Sequence, residues 1–300
     1  MTPYYNDHTI VFLNGQFVKA TDAKIDLYSQ SFHYGYSVFE GIRSYKTASG
    51  QTRIFKAIEH FDRLERSARA LNMPYTWARQ ELIDATYELL SKNGLSDAYI
   101  RPVIYAPANM SFTKNAESFV VIETWEMKPF LGDKLLRVMT SSFQRPNPQA
   151  FRIQAKATGH YVNSILASQE AKACGFDEAL LLDINGFVAE GPGANVFYEK
   201  DGKIFTPAVG NILPGITRAT VLEICEEIGI PATQSLFTSD ELKNADAAFY
   251  CGTAAEVIGW ERLDDTVFPK PWDETVSKVI QDAYKHKVIE KEYTYSLQTS

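Results

Sequence analysis

Two short apolar runs open the chain, Ile10-Val11-Phe12-Leu13 and Gln16-Phe17-Val18, and they flank Asn14-Gly15. That pair accepts the positive φ angles of a type I′ turn, so the pattern predicts a β-hairpin. The period then changes. In Glu59–Asn72, Phe61, Leu64, Ala68 and Leu71 recur at helical spacing, and Glu81–Lys92 repeats the pattern with Leu82, Ala85 and Leu89. Gly94 follows as a helix stop. Ala98–Ala106 and Ser118–Trp125 are rich in apolar and β-branched residues, which predicts strands.

The pattern breaks at Lys128-Pro129-Phe130-Leu131-Gly132, and Leu136–Phe143 begins a new strand. The expected organisation is a small N-terminal domain over 1–128, a linker at 129–136 and a larger domain over 137–300. In the larger domain Tyr161–Ala173 reads as a helix stopped near Gly175. Glu178–Asp183 and Gly186–Ala189 read as strands joined at Asn185-Gly186, and Asn195–Tyr198 and Lys203–Phe205 as a pair across Asp201-Gly202. Thr217–Ile228 is a helix opened by Pro214-Gly215 and closed by Gly229. Ser239 or Asp240 is expected to cap a short helix, and Ala248–Cys251 is a buried strand. Helices and strands mix without the βαβ regularity of a doubly wound sheet, so the expected class is α+β.

Composition narrows the functional classes. With 300 residues, 45% hydrophobic and 22% charged, the chain can bury a substantial core. A formal net charge of −7 argues against a surface built for nucleic acid. Cys174, Cys225 and Cys251 are too few and too widely spaced for a disulfide framework or a zinc site. No run approaches the ~20 apolar residues that span a bilayer. The first residues lack a basic stretch followed by an apolar one, and the expected location is the cytoplasm. The histidines show no ligand spacing and no HExxH occurs, so no metal site is expected. A GxSxG elbow, a phosphate loop and a GxGxxG turn are also absent.

What remains is a set of loops in which small residues bracket single reactive groups. Ala155-Lys156-Ala157 surrounds a lysine with small apolar neighbours. A desolvated amine of this kind becomes nucleophilic, although surface lysines beside alanines are common. Glu190-Gly191-Pro192-Gly193 puts one carboxylate on a tight turn, either to face a ligand or to face water. Leu213-Pro214-Gly215-Ile216-Thr217 leads into a helix whose free N–H groups suit phosphate, while Thr217 could equally cap its own helix. Spacing alone does not bring these groups together.

Six segments, taken in order, resemble the branched-chain amino acid aminotransferases, enzymes of the class IV aminotransferase group that use pyridoxal 5′-phosphate. They are His33–Arg43, Ala98–Pro102, Gln154–Ser164, Phe187–Asn195, Leu213–Arg218 and Cys251–Val257. The resemblance runs from the first hairpin to about Gly259. It implies a two-domain fold of type IV, whose small N-terminal α/β domain precedes a larger cofactor-binding domain with an antiparallel-rich β core. It implies that Lys156 carries the cofactor as a Schiff base and shuttles the proton, and that Glu190 faces the pyridine nitrogen. Tyr161 would bond the ring hydroxyl, Leu213 would pack on the ring, and Asn195 would belong to the same cofactor site. Arg63, Gly215, Ile216, Thr217 and Thr253 would hold the phosphate.

On the substrate side the resemblance implies that Tyr99 and Arg101 organise the α-carboxylate site, helped by the backbone at Thr253, Ala254 and Ala255. Phe39 and Tyr34 would shape the side-chain pocket, and Arg43 could be a pocket polar group or a salt-bridge partner. Tyr34 and the loop around Met110 would act across a dimer interface. The expected reaction is amino exchange between L-leucine, L-isoleucine or L-valine and 2-oxoglutarate. The alternatives on the same fold are a D-amino acid or (R)-amine aminotransferase, or a lyase acting on an aminated chorismate. Met127 stands where many bacterial relatives carry tryptophan, which implies a softer pocket wall and broader side-chain acceptance.

Overall fold

Asn14 and Gly15 take positive φ, 49° and 86°, and turn β1 (Ile10–Leu13) back onto β2 (Gln16–Lys19) with Leu13 opposite Gln16. This is the expected hairpin, and it edges the first of two sheets in the computed structural model, which describes residues 4–127 and 134–293. The chain divides into two units, Met1–Lys128 with Gln154–His160, and Pro129–Ile153 with Tyr161–Ser300. The expected linker at 129–136 lies outside the described residues as far as residue 133. So does the break at Lys128–Gly132 on which it was placed.

In the first unit the hairpin is followed by α1 (Gln30–Tyr34), which stops where Gly35 turns left-handed at φ 63°. Then come β3 (Ser37–Phe39), β4 (Ile42–Lys46), β5 (Thr52–Ile54), α2 (Ala57–Ala70), α3 (Arg79–Lys92), β6 (Ala98–Tyr105) and β7 (Phe119–Glu126). The strands form one antiparallel sheet in the order β2-β1-β7-β6-β4-β5, with β3 also on β6. Side chains alternate across a sheet, so its two faces can be read from register. Ile100, Ile104, Val120 and Ile122 face a core shared with Phe61, Leu64, Leu82 and Leu89 of α2 and α3. The opposite face holds Tyr99, Arg101 and Val103 on β6, opposite Trp125, Glu123 and Val121 on β7. Arg43 on β4 and Phe39 on β3 extend the same face, opposite Tyr99 and Val103.

The second unit contains β8 (Leu136–Gln144), α4 (Tyr161–Ala173), β9 (Glu178–Leu182), β10 (Val188–Glu190), β11 (Asn195–Lys200) and β12 (Lys203–Pro207). Next are α5 (Ile216–Glu227), β13 (Ala232–Ser235), α6 (Ser239–Lys243), β14 (Ala247–Gly252), β15 (Glu256–Leu263), β16 (Thr266–Val267) and α7 (Val276–Val288). Helices α4 and α5 carry the chain between parallel neighbours, β8 to β9 and β12 to β13. Most other pairs are antiparallel. Because β10 pairs both β9 and β11, the strands β10-β9-β8-β15-β14-β11 close into a ring. Leu180, Val196, Tyr250 and Trp260 belong to its core.

The expected cap of α6 needs correction. Thr238 is the N-cap, its hydroxyl accepting from the Glu241 N–H while Glu241 reaches back to the Thr238 N–H, a capping box that neither Ser239 nor Asp240 could close. The sequence pattern also does not predict β3, β4, β5, β13, β15 or α7. Among the described residues no helix is long and apolar enough to cross a membrane.

Candidate active site

Lys156 sits in the short stretch Gln154–His160 that belongs to the first unit. Its flanks are pinned from both sides. The Lys156 N–H donates to Ser67 Oγ at 3.0 Å, and its carbonyl accepts from the Phe39 N–H at 3.0 Å. Thr158 donates its hydroxyl to the Gly35 carbonyl at 2.7 Å, and the Gly159 N–H donates to the same oxygen at 3.1 Å. The backbones come so close that a Cβ on Gly35 would lie 2.9 Å from the Gly159 Cα. Ala155 and Ala157 are buried while Lys156 is half-buried, so the small neighbours anchor the segment on either side of the lysine. The Lys156 ammonium stands 4.9 Å from the centre of the Phe39 ring.

Directly after Phe39 comes Glu40, with no exposure at all. Its carboxylate accepts from Arg63 Nε at 2.6 Å and Nη2 at 2.8 Å, and lies 2.7 Å from His60 Nδ1. The forked guanidinium matches the carboxylate geometry. Burial alone would raise the pKa of Glu40, but the charge and hydrogen bonds of Arg63, joined by His60, outweigh it and hold the group well below the usual carboxylate range. For His60 burial is the largest influence and depresses its pKa despite Glu40. The arginine that the resemblance implies for the phosphate is thus buried, one of two basic partners of the Glu40 carboxylate.

The outward face of the sheet gathers four of the expected substrate residues. Gly41 lies beneath Tyr99 so tightly that a Cβ there would come within 2.0 Å of the hydroxyl oxygen. The Tyr99 hydroxyl accepts from Arg101 Nη2 at 2.9 Å. The Arg101 guanidinium lies 4.5 Å from the Phe39 ring centre, 5.2 Å from Tyr99 and 5.9 Å from Trp125. Its Nε is buried with no hydrogen-bond partner among the described residues. A cation among aromatic faces with a donor to spare is suited to an anion. Arg43 is buried beside them, its guanidinium 4.8 Å from the Tyr45 ring. Tyr34 and Met110 meet elsewhere: the exposed Tyr34 donates its hydroxyl to the Met110 carbonyl at 3.3 Å, and its ring lies 5.3 Å from Phe112. Met127 is half-buried at the end of the described stretch.

The second unit builds its own polar centre where the ring of strands closes. Glu190 on β10 pairs with Asn195 on β11, and both are buried. Arg145 Nη2 stands 3.0 Å from Glu190 Oε1, Asn195 Nδ2 donates to Oε2 at 3.0 Å, and the Leu213 N–H donates at 3.2 Å. Asn195 also donates to the Leu213 carbonyl at 3.0 Å, so one amide ties the carboxylate to the turn that opens α5. A Cβ on Gly215 would fall 1.9 Å from Asn195 Oδ1, and one on Gly191 would fall 2.8 Å from the Tyr250 ring. Glycine is therefore dictated at both points by close packing.

Gly215 is the N-cap of α5 and offers no side-chain cap, so the first N–H groups of the helix, at Ile216 and Thr217, receive no side-chain acceptor there. Thr217 is buried, while Thr253, Ala254 and Ala255 are half-buried in the turn between β14 and β15. That turn abuts the glycine loop, a Cβ on Gly252 lying 3.1 Å from the Gly193 carbonyl. Arg218 does not join this array; its Nη2 donates to the Pro207 carbonyl at 2.8 Å and to Gln234 at 2.7 Å. Tyr161 begins α4, half-buried. Among the described residues no cluster of potential metal ligands occurs.

Sequence reading missed Glu40, His60 and Arg145. Glu40 lies inside the segment Phe39-Glu40-Gly41, where an acid beside a tight glycine is a usable signal. For Arg145 nothing in Gln144-Arg145-Pro146 marks it.

A family model described as amino-transferase class IV matches residues 37–262. A branched-chain-amino-acid aminotransferase of Pseudomonas aeruginosa is 39% identical over 281 residues, covering 92% of this chain and 91% of that protein. The crystal structure of a branched-chain aminotransferase from Thermoproteus uzoniensis with norvaline superposes with a TM-score of 0.91 at 36% identity, covering 95% of this chain and 96% of the other. The crystal structure of a branched-chain amino acid aminotransferase from Thermobaculum terrenum in its PLP-bound holo-form gives a TM-score of 0.88 at 31% identity, with 95% of each chain covered.

Proposed function

Because the chain belongs to the class IV aminotransferases, we propose that it exchanges amino groups between branched-chain L-amino acids and 2-oxoglutarate, using pyridoxal 5′-phosphate. The observation that carries the reading is the buried Glu190 carboxylate on which Arg145, Asn195 and the Leu213 N–H converge. The donor set fits this cofactor. A half-buried lysine amine suits its aldehyde, a buried carboxylate suits its ring nitrogen, and an uncapped helix start beside a forced glycine suits its phosphate.

When bound, the cofactor supplies a carbonyl carbon for amino groups and a conjugated ring that takes up the electron pair left at the substrate Cα. Lys156 would hold it through its side-chain amine between turnovers and would take the proton from the substrate Cα. The pinned backbone on either side of Lys156 fixes where that amine can reach. Glu190 would hold a proton at the ring nitrogen, and Tyr161 would orient the ring hydroxyl. Asn195 orients Glu190, and Leu213 would cover the ring. Arg63, with Gly215, Ile216, Thr217 and Thr253, would bind the phosphate, with Glu40 orienting Arg63. Tyr99 and Arg101 would organise the α-carboxylate site with the backbone at Thr253, Ala254 and Ala255, while Phe39, Arg43 and Met127 would bound the side-chain pocket and Tyr34, with the loop around Met110, would close it across the dimer interface. In this reading one site receives an apolar side chain against aromatic rings, and the Arg101 Nε, which has no hydrogen-bond partner among the described residues, receives the second carboxylate of 2-oxoglutarate.

The working protein in this reading is a cytoplasmic homodimer with domains over 1–128 and 137–300. Phe32, Tyr34, Met110 and Phe112 support the dimer: they are 63%, 45%, 49% and 90% exposed, and Tyr34 touches both Met110 and Phe112, an apolar surface that a partner subunit would cover. The free cysteines suit a reducing compartment. The test is to add single amino donors to the cofactor-loaded protein and follow its visible band. Bleaching by L-leucine, reversed by 2-oxoglutarate, supports the reading. Bleaching chiefly by D-alanine or (R)-1-phenylethylamine would replace it with an aminotransferase of opposite substrate handedness.

A further inference from the structure

The outward face of the first sheet holds an acid that the proposed reaction does not call for. Glu123 on β7 stands directly opposite Arg101 on β6, one step along from the Trp125–Tyr99 pair. Directly opposed side chains on an antiparallel pair have Cβ atoms about 5 Å apart. Glu123 shares a face with Arg101, Phe39 and Arg43, not with the apolar core beneath. Glutamate is a poor strand former, and both neighbours, Ile122 and Thr124, are β-branched residues better suited to a strand. The exposed Glu123 side chain makes no hydrogen bond or ion pair among the described residues, so the sheet does not depend on it.

Arg101 has an equally incomplete set of partners. Among the described residues its one hydrogen-bond acceptor is the Tyr99 hydroxyl, and its buried Nε has none. The guanidinium is therefore held for an anion that arrives, and Glu123 is the acid facing it across the strand pair.

On the reading that this face receives substrate, we propose that Glu123 is a specificity-determining residue whose carboxylate competes with the second carboxylate of a dicarboxylic substrate for Arg101. Its charge lowers the affinity for dicarboxylates and leaves branched aliphatic side chains, which rest on Phe39, Tyr99 and Trp125, unaffected. The acid thereby tilts one pocket toward apolar substrates without blocking the dicarboxylate that completes the reaction.

The test compares the cofactor-loaded wild type with Glu123→Gln, which keeps size and polarity and removes charge. Two unreactive acids serve as probes, glutarate for the dicarboxylate and 4-methylpentanoate for the branched monocarboxylate, each measured as a competitive inhibition constant. Glutarate should bind about two- to fivefold tighter to E123Q, the reach of an opposite-charge pair across a strand, and 4-methylpentanoate should bind as before. Glu123→Asp should keep the wild-type ratio. A parallel change for both acids, or no change for glutarate in a wild type that reacts normally with L-leucine, overturns this assignment alone. A wild type that fails to react with L-leucine overturns the proposed function and this assignment with it.

Discussion

Replacing Glu40 by glutamine tests the buried ion cluster at its centre. The carboxylate has no exposure and receives Arg63 through two nitrogens at 2.6 and 2.8 Å, with His60 at 2.7 Å. Glutamine keeps one acceptor oxygen but turns an amide donor toward a guanidinium that also donates, and it leaves the Arg63 charge uncompensated. Removing one partner of a buried pair costs about 3–5 kcal/mol. Urea unfolding of E40Q should show a loss of that size. The acid limb should change as well. Glu40 is depressed in the folded state, so the unfolded chain binds more protons as pH falls toward and below its ordinary value of 4.5. His60 is also depressed, and the unfolded chain takes up its proton first, near the ordinary value of 6.5. Both groups therefore make stability fall on acidification, beginning near the histidine value and deepening through the carboxylate range. In E40Q the carboxylate part of that fall should vanish. A loss below about 1 kcal/mol, or an acid limb parallel to that of wild type, would refute the reasoning.

Other outcomes follow from close packing. Gly41→Ala should push the Tyr99 hydroxyl off Arg101, because the new Cβ would lie 2.0 Å from it, raising KM for 2-oxoglutarate about tenfold, the equivalent of one charge-assisted hydrogen bond; steady-state kinetics decides. Gly215→Ala should displace the Asn195 amide, 1.9 Å from the added carbon, and weaken cofactor binding about tenfold in equilibrium titration, since the Glu190 bracket loses one donor. Met127→Trp should narrow donor acceptance, lowering the rate with L-phenylalanine relative to L-leucine. Equal ratios in the two proteins would remove the softer wall from the account.

Much of the scaffold was legible where local chemistry and tertiary packing agree. Asn14-Gly15 needs positive φ in both residues, and it has it. The α4 helix begins at Tyr161 and ends at Ala173 as its pattern predicts, with Gly175 left-handed at φ 82° beyond it. The misses have physical causes. β3 has only three residues, and β4 is buried at four of its five positions, so neither shows the alternation of a half-exposed strand in sequence. Helix α7 hides in the tail beyond the resemblance, although Ile280, Ala283, Tyr284 and Val288 repeat at helical spacing and are buried. At α6 the Thr238–Glu241 pair was readable as a capping box and outcompetes its two neighbours.

The site divides the same way. Lys156 and Glu190 were visible because small residues bracket them, and the structure gives that bracketing a physical use in pinned backbone and close approach. Arg63 was visible only through the resemblance. Its depth beside Glu40 depends on how α2 packs against the sheet, and a local window cannot contain that. Arg145 reaches Glu190 from a strand end far along the chain, a proximity that only the closed ring of strands creates.

The central claim is that Lys156 holds the cofactor. Borohydride reduction of the cofactor-loaded protein followed by peptide mass spectrometry tests it most directly. The reduced phosphopyridoxyl group should be found on the peptide that contains Lys156 and should be lost in Lys156→Ala. The same label on a different lysine, or an unlabelled Lys156 peptide in protein that shows the visible band, would contradict the account.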